Sequence, residues 1–326
     1  MDSTAFPGLP SPPPLGASAL PAGTYDGSLV LVTGGGTGLG RAIAAEFARL
    51  GADLLIVSRR ERHLAPARAE LAKLGTRVTS AVCDIRDPKR ISEVFDGCAL
   101  PDVLVNNAAA NFPVPTEDLS PNAWQAVVDI TLTGTFLMTR EFGRRHLAAG
   151  TPGSVIDVGA SYAWTGGPGF AHSAAAKAGV ESLVRTLAVE WGPYGIQVNG
   201  LVPGLMPHED MTDDIRGNLA RAAADADSGD GPDGSPDNEN GENGPDGDQD
   251  NENGGQRDAL GRRQPALRVG APRELGWAAT FLASPYARFI TGHTLVVDGA
   301  NWQRRGLVSP PVTPVRDQLG RGPFTG

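Results

Sequence analysis

Ser173 and Lys177 lie four residues apart in the run HSAAAKAG (172–179), so on a helix they share one face. A hydroxyl and an amine so placed can serve one bound ligand; the plainer alternative for Lys177 is a charge on a solvated helix. A serine hydroxyl is a weak acid, so of itself it suits hydrogen bonding better than proton delivery. A second group of residues binds rather than reacts. In TGGGTGLG (33–40), Gly34, Gly35, Gly36, Thr37, Gly38, Leu39 and Gly40 join an apolar run to an amphipathic one. Gly34, Gly38 and Gly40 let the backbone turn tightly and approach a pyrophosphate, and the helix start offers free N–H groups and positive potential. The next apolar run ends VSRR (57–60), with Ser58, Arg59 and Arg60 where NAD-preferring folds usually place a carboxylate for the ribose 2′-hydroxyl. A guanidinium fork suits a 2′-phosphate instead, so NADPH is the expected cofactor; an ordinary exposed basic pair is the bland alternative. Asp84 ends a third run and could accept from the adenine amino group, or serve only as a strand-end turn residue.

These residues need elements that aim them at one place. Apolar runs at 28–34, 53–58, 76–85, 102–108, 153–159, 196–202 and 294–299 read as buried strands. Between them fall helical patterns, among them one long stretch from Pro121 to about Leu147 and another over 172–191. Pro66 should kink or start the second helix. Strands alternating with helices predict one α/β domain over 28–302, a doubly wound Rossmann fold of seven mostly parallel strands with helices on both faces. Ligands of that architecture bind beyond the carboxyl ends of the strands, where every motif above lies.

Much of the chain stands outside that core. Residues 1–27 hold six prolines and no lysine or arginine, which predicts a disordered arm and argues against a signal peptide. Residues 303–326 read as a C-terminal tail. Residues 225–256 contain 8 Asp, 3 Glu and no basic residue, a charge of −11 within a chain of net −9. The acidity therefore belongs to a disordered insert and says nothing of the body's partners; nucleic acid is not among those expected. Asp246, Asp248 and Asp250 match the start of a calcium loop, but Asn251 stands where the loop needs glycine and Arg257 where it needs glutamate, so no metal site is expected. Two cysteines, Cys83 and Cys98, are too few for a disulfide framework, and Cys83 reads as a small core residue. No apolar run approaches the roughly 20 residues that cross a bilayer. The closing Phe-Thr-Gly matches no peroxisomal address, and a cytoplasmic setting is expected.

In order and spacing, the glycine turn, NNAA (106–109), the Ser-x-x-x-Lys helix, Pro203-Gly204 and ITG (290–292) resemble the short-chain dehydrogenase/reductase family. The resemblance covers about 30–302 apart from the insert. It implies that Ile85, Asn107, Ala108, Pro203, Gly204, Leu205 and Met206 also meet the cofactor, that Lys177 holds its ribose, and that the protein is a homo-oligomer, dimer or tetramer. The commoner branch of the family has Tyr where this chain has Ser173, and Asn where it has Thr131. One branch shares the departures, the NADPH-dependent 2,4-dienoyl-CoA reductases, through NNAAANF (106–112), LSPNAW (119–124), DITLTGT (129–135) and SYAWTGGPGF (161–170). That branch implies Tyr162 and Asn111 as catalytic donors supported by Ser173, an acyl-CoA thioester as substrate, and Arg86, Phe112 and Ser120 as substrate contacts. Ala110 stands where the branch usually has glycine. A trans-2-enoyl-CoA reductase, a carbonyl reductase using a swung Tyr162, a noncatalytic NADPH-binding regulator, and an interaction protein acting through the acidic insert, which interrupts the segment after Gly204 where the family builds its substrate lid, are the other readings. Tyr162 favours the dienoyl enzyme over the first of these, and intact Lys177, Tyr162 and Asn111 count against the regulator.

Overall fold

A computed structural model of the chain describes residues 9–14, 16–211, 216–217, 220, 259–303 and 315–321. Seven strands form one parallel sheet: β1 (Leu29–Thr33), β2 (Asp53–Ser58), β3 (Val78–Val82), β4 (Val103–Asn106), β5 (Gly153–Val158), β6 (Ile196–Pro203) and β7 (Thr294–Val297). Their order is β3-β2-β1-β4-β5-β6-β7, so the chain reverses direction across the sheet between β1 and β4. The alternation of side chains along each strand explains the two cores. Val30, Val32, Leu54 and Ile56 face α1 (Gly38–Arg49), whose Ile43 and Phe47 are fully buried, together with Leu275 and Leu282 of α8 (Pro272–Leu282). Leu31, Leu55, Leu104 and Val155 face the other way, onto Ile91 and Phe95 of α3 (Pro88–Asp96), Met138 and Phe142 of α5 (Gly134–Ala149) and Val184 of α7 (Ala171–Trp191). The inner strands, covered on both faces, read as near-continuous apolar runs, whereas β3 and β7 at the sheet edges have no buried residue, unlike the buried strands expected there.

The structure sharpens three expectations. Of the two roles expected of Pro66, starting α2 (Glu61–Ala72) is excluded, because the residue lies inside that helix. It removes the bond to the carbonyl of Arg62, an exposed residue whose carbonyl water can serve, so the cost stays tolerable. The helical stretch expected over 121–147 runs unbroken from Pro121 to Ala149, but as α4 (Pro121–Val128), a π-helical turn at Asp129–Thr133, and α5. The N-terminal arm is not free over its described residues. Tyr25 is buried, stands edge-on to Phe47 at 4.9 Å and donates its hydroxyl to the carbonyl of Thr280 at 2.5 Å. Proline-rich backbone lacks donors but keeps its carbonyls, and these accept from the body: Pro10 from Arg268 at 3.0 Å and Pro13 from Arg273 at 2.8 Å, with Ala17 taking Trp277 Nε1 at 3.0 Å. In the tail, Val315–Gln318 form a helical turn, α9, whose Arg316 meets Asp118 at 2.9 Å. The 225–256 insert lies outside the described residues.

Candidate active site

The carboxyl ends of β1 and β4 flank the point where the sheet order reverses, and one hydroxyl joins them. Thr33 Oγ1 accepts from the backbone N–H of Asn107 at 2.9 Å and of Ala108 at 3.0 Å. A cleft of ≈ 310 Å³ opens there, lined by Gly34, Thr37, Gly38, Leu39, Ser58, Arg59, Ile85, Asn107 and Ala108 among others. Gly38 begins α1 with φ +51°, a conformation side chains disfavour, and at Gly40 a Cβ would collide with Gly34 O and Asn107 Nδ2. The helix start, the glycine backbone and a nearby guanidinium fit a dinucleotide phosphate.

Not every expected cofactor contact lines this cleft. Gly35 packs toward Ile56 and Gly36 toward the His63 backbone. Arg60 is the cap residue before α2, while Arg59 takes the place at the cleft. Gly204, Leu205 and Met206 line a second cavity of ≈ 490 Å³ with Asp298 and Trp302, while Pro203 closes β6. The residue of that connection that does reach the cleft is His208, which the spacing of motifs did not single out. Cys83, buried and free as expected, also lines it, and burial pushes its thiol up to about 11. Asp84 is gripped by Arg86, with Nη2 to Oδ2 at 2.6 Å and Nε to Oδ1 at 3.0 Å, and the guanidinium holds the carboxyl below its ordinary range. Arg86 is thus engaged at the end of β3.

A second hydrogen-bonded cluster forms on the other side of β4. Tyr162 opens a short turn, α6 (Tyr162–Thr165), and its ring stacks 6° from parallel on Phe170. The Tyr162 hydroxyl lies 3.0 Å from Ser173 Oγ and accepts from Asn111 Nδ2 at 3.4 Å. Burial raises the Tyr162 pKa, eased by the Ser173 contact, so the phenol stays protonated at neutral pH. Asn111 follows β4 on a loop fixed by Thr131, whose hydroxyl accepts from Ala110 N at 3.2 Å and is fully buried. Thr131 comes from the π-helical turn, so the break between α4 and α5 serves the site. Phe112 sits edge-on to His172 at 4.5 Å, next to Ser173. Ser120 caps α4 by accepting from Ala123 N at 3.2 Å.

Lys177 stands one turn along α7 from Ser173, buried, with its ammonium donating to Val158 O. Desolvation lowers its pKa to about 8, partly opposed by Asp157. Asp157, in the middle of apolar β5, was overlooked although a charge inside GSVIDVG was a signal. It accepts from Asn106 Nδ2 at 2.8 Å, and burial pushes its carboxyl up to about 7. The arrangement offers a cofactor cleft, a buried amine and two aimed neutral hydrogen-bond donors, with no strong acid.

Residues 28–219 match the short chain dehydrogenase family and residues 245–300 the Enoyl-(Acyl carrier protein) reductase family. A Caenorhabditis elegans protein named "Probable 2,4-dienoyl-CoA reductase", (3E)-enoyl-CoA-producing, is 36% identical over 287 residues, 85% of this chain and 81% of its own. A Bacillus subtilis protein of the same name but (2E)-enoyl-CoA-producing is 33% identical over 278 residues, 84% and 96% of the two chains. A Beutenbergia cavernae structure assigned as an NAD(P)-dependent gluconate 5-dehydrogenase, with bound NADP, superposes with a TM-score of 0.69 at 29% identity over 86% of this chain and 99% of its own. The chain belongs to the short-chain dehydrogenase family of oxidoreductases.

Proposed function

We propose that this oxidoreductase reduces 2,4-dienoyl-CoA thioesters to 3-enoyl-CoA with NADPH. The observation that carries the reading is the Tyr162 hydroxyl, held between Ser173 at 3.0 Å and Asn111 at 3.4 Å as a neutral hydrogen-bond donor. When bound, the reduced nicotinamide supplies a hydride to the far end of the conjugated diene. Negative charge then collects on the thioester oxygen, and a dienolate needs donors already aimed at it rather than a strong acid. With Ser173 donating to the Tyr162 oxygen, the Tyr162 proton is left for the substrate oxygen; the second N–H of the Asn111 amide supplies another donor. The product proton goes to carbon from water, giving the 3-enoyl thioester. Lys177 holds the nicotinamide ribose hydroxyls, and its charge is kept by Val158 O and Asp157.

NADPH rather than NADH is supported by Arg59 at the cleft and by the lack of a carboxylate at the end of β2. Among the described residues no helix is long and apolar enough to cross a membrane. The cytoplasmic expectation remains part of this reading, although plant and rodent relatives are named peroxisomal. A homo-oligomer, dimer or tetramer, is likewise part of it, by the same family resemblance.

The test is NADPH oxidation with a 2,4-dienoyl-CoA, a 2-enoyl-CoA and a 3-ketoacyl-CoA side by side, with the product double bond located. Fastest turnover of the dienoyl substrate to a 3-enoyl product is expected. Faster turnover of the ketoacyl substrate would overturn the proposal.

A further inference from the structure

The connection leaving β6 folds back over the glycine turn and places an anion where the cofactor's phosphates belong. Asp210 Oδ2 accepts from the backbone N–H of Gly38 at 2.7 Å, the first residue of the twelve-residue helix α1. The same oxygen lies 3.1 Å from Arg41 Nη2, which also meets the Glu209 carboxylate, while Arg41 Nη1 reaches Glu70 at 3.2 Å. Beside them the His208 ring presses on Gly38 so closely that a Cβ there would lie 2.7 Å from its Cε1. His208 lines the ≈ 310 Å³ cleft together with Thr37, Leu39 and Arg59. A carboxylate on the free N–H groups of a helix start is the contact a phosphate oxygen would make.

We propose that Asp210 is a built-in competitor of the cofactor's pyrophosphate and so sets the nucleotide affinity. This rests on reading the cleft as the nucleotide site. Two anions cannot share the Gly38 N–H, and a pyrophosphate brought beside Asp210 and Glu209 meets repulsion from both. Binding therefore requires the His208–Asp210 segment to lift off, which frees Arg41 from two of its three carboxylates. A protein whose binding-competent form is only partly populated binds more weakly by that fraction. The Asp210 side chain is 26% exposed, so its grip on Gly38 is part-screened, and the penalty on NADPH is about three- to tenfold.

The experiment titrates the full chain and its Asp210→Asn and Asp210→Ala variants with three nucleotides by calorimetry. NADPH and 2′,5′-ADP carry a phosphate on the 5′ oxygen; 2′-AMP fills the adenosine side without one. Expected is tightening of NADPH and 2′,5′-ADP in both variants, about three- to tenfold in the alanine and less in the asparagine, with 2′-AMP unchanged. Unchanged or weaker NADPH binding in both variants would overturn the proposal, because Asp210 would then be neutral or a partner to the cofactor. So would equal tightening of 2′-AMP. Absence of nucleotide binding by the unaltered protein would instead overturn the assignment of the cleft.

Discussion

Replacing Tyr162 by phenylalanine separates hydrogen-bond stabilisation of an enolate from every other role of this site. The ring keeps its stacking on Phe170, 6.0 Å between centroids, so packing changes little and the hydroxyl alone is lost. That hydroxyl accepts from Asn111 Nδ2 at 3.4 Å and lies 3.0 Å from Ser173 Oγ. With Ser173 donating, both tyrosine lone pairs are used and its proton points to the substrate oxygen. Removing one such preorganised donor costs ~2.7–4 kcal/mol of transition-state stabilisation, about 10²–10³ in kcat. Ser173→Ala removes only a neutral supporting bond, about 0.5–1.5 kcal/mol or roughly 2- to 12-fold. Steady-state NADPH oxidation with a 2,4-dienoyl-CoA should show the tyrosine variant losing kcat with little change in KM. Because burial raises the Tyr162 pKa, its donor stays protonated through neutrality, and the loss should not vary between about pH 6 and 8. A loss below about tenfold for Tyr162→Phe, or a larger one for Ser173→Ala, refutes the division of roles.

Single contacts carry the other expectations. Arg59→Ala should weaken NADPH by about one to two orders of magnitude and leave NADH unchanged, since hydrogen bonds to charged groups contribute about 1.5–3 kcal/mol; paired binding titrations measure the ratio. Thr131→Ala leaves Ala110 N without its partner at 3.2 Å and should lower stability by about 1–3 kcal/mol, with kcat falling and the NADPH dissociation constant kept, by denaturant melts and kinetics. Asp157 has its folded pKa raised from 3.8 to about 7, so its contribution to stability is present at low pH and lost as pH rises through 7. Asp157→Asn removes that loss, and its Tm relative to the unaltered protein should climb from about pH 4 to 8. A constant difference would argue against a buried titrating carboxyl.

The inner strands of the sheet were legible because burial on both faces leaves near-continuous apolar runs, as in β1 and β2, whereas the edge strands β3 and β7, with no buried residue, showed only as short strand patterns between helices. The long helix over 121–149 was legible too, but the π-helical turn within it was not, since such a turn adds a residue without breaking the chemistry of the pattern: DITLTGT looks as helical as its neighbours. The arm was misjudged for another reason. Its contacts are proline carbonyls and one tyrosine whose partner lies 255 residues away, and composition carries no trace of such pairings. Within the site, the glycine turn and Arg59 could be read from elementary chemistry, whereas Tyr162 and Asn111 came only with the family pattern. His208 and Asp210 were hidden because their meeting with Gly38 depends on how a loop returns, not on any spacing.

The π-helical turn at Asp129–Thr133 also makes the Ala110–Asn111 loop depend on helical phase. Each residue added to or taken from a helix rotates the remainder of that helix by about 100°. Thr131 faces Ala110 from within this widened turn, and Gly134 beyond it fits against Ile85 with no room for a Cβ. Closing the turn by one residue would therefore swing Thr131 off the loop and turn a new side chain toward Ile85, with no residue of the site itself replaced. Insertions and deletions here act as a rotary adjustment of the catalytic end, so length in this stretch is as constrained as identity.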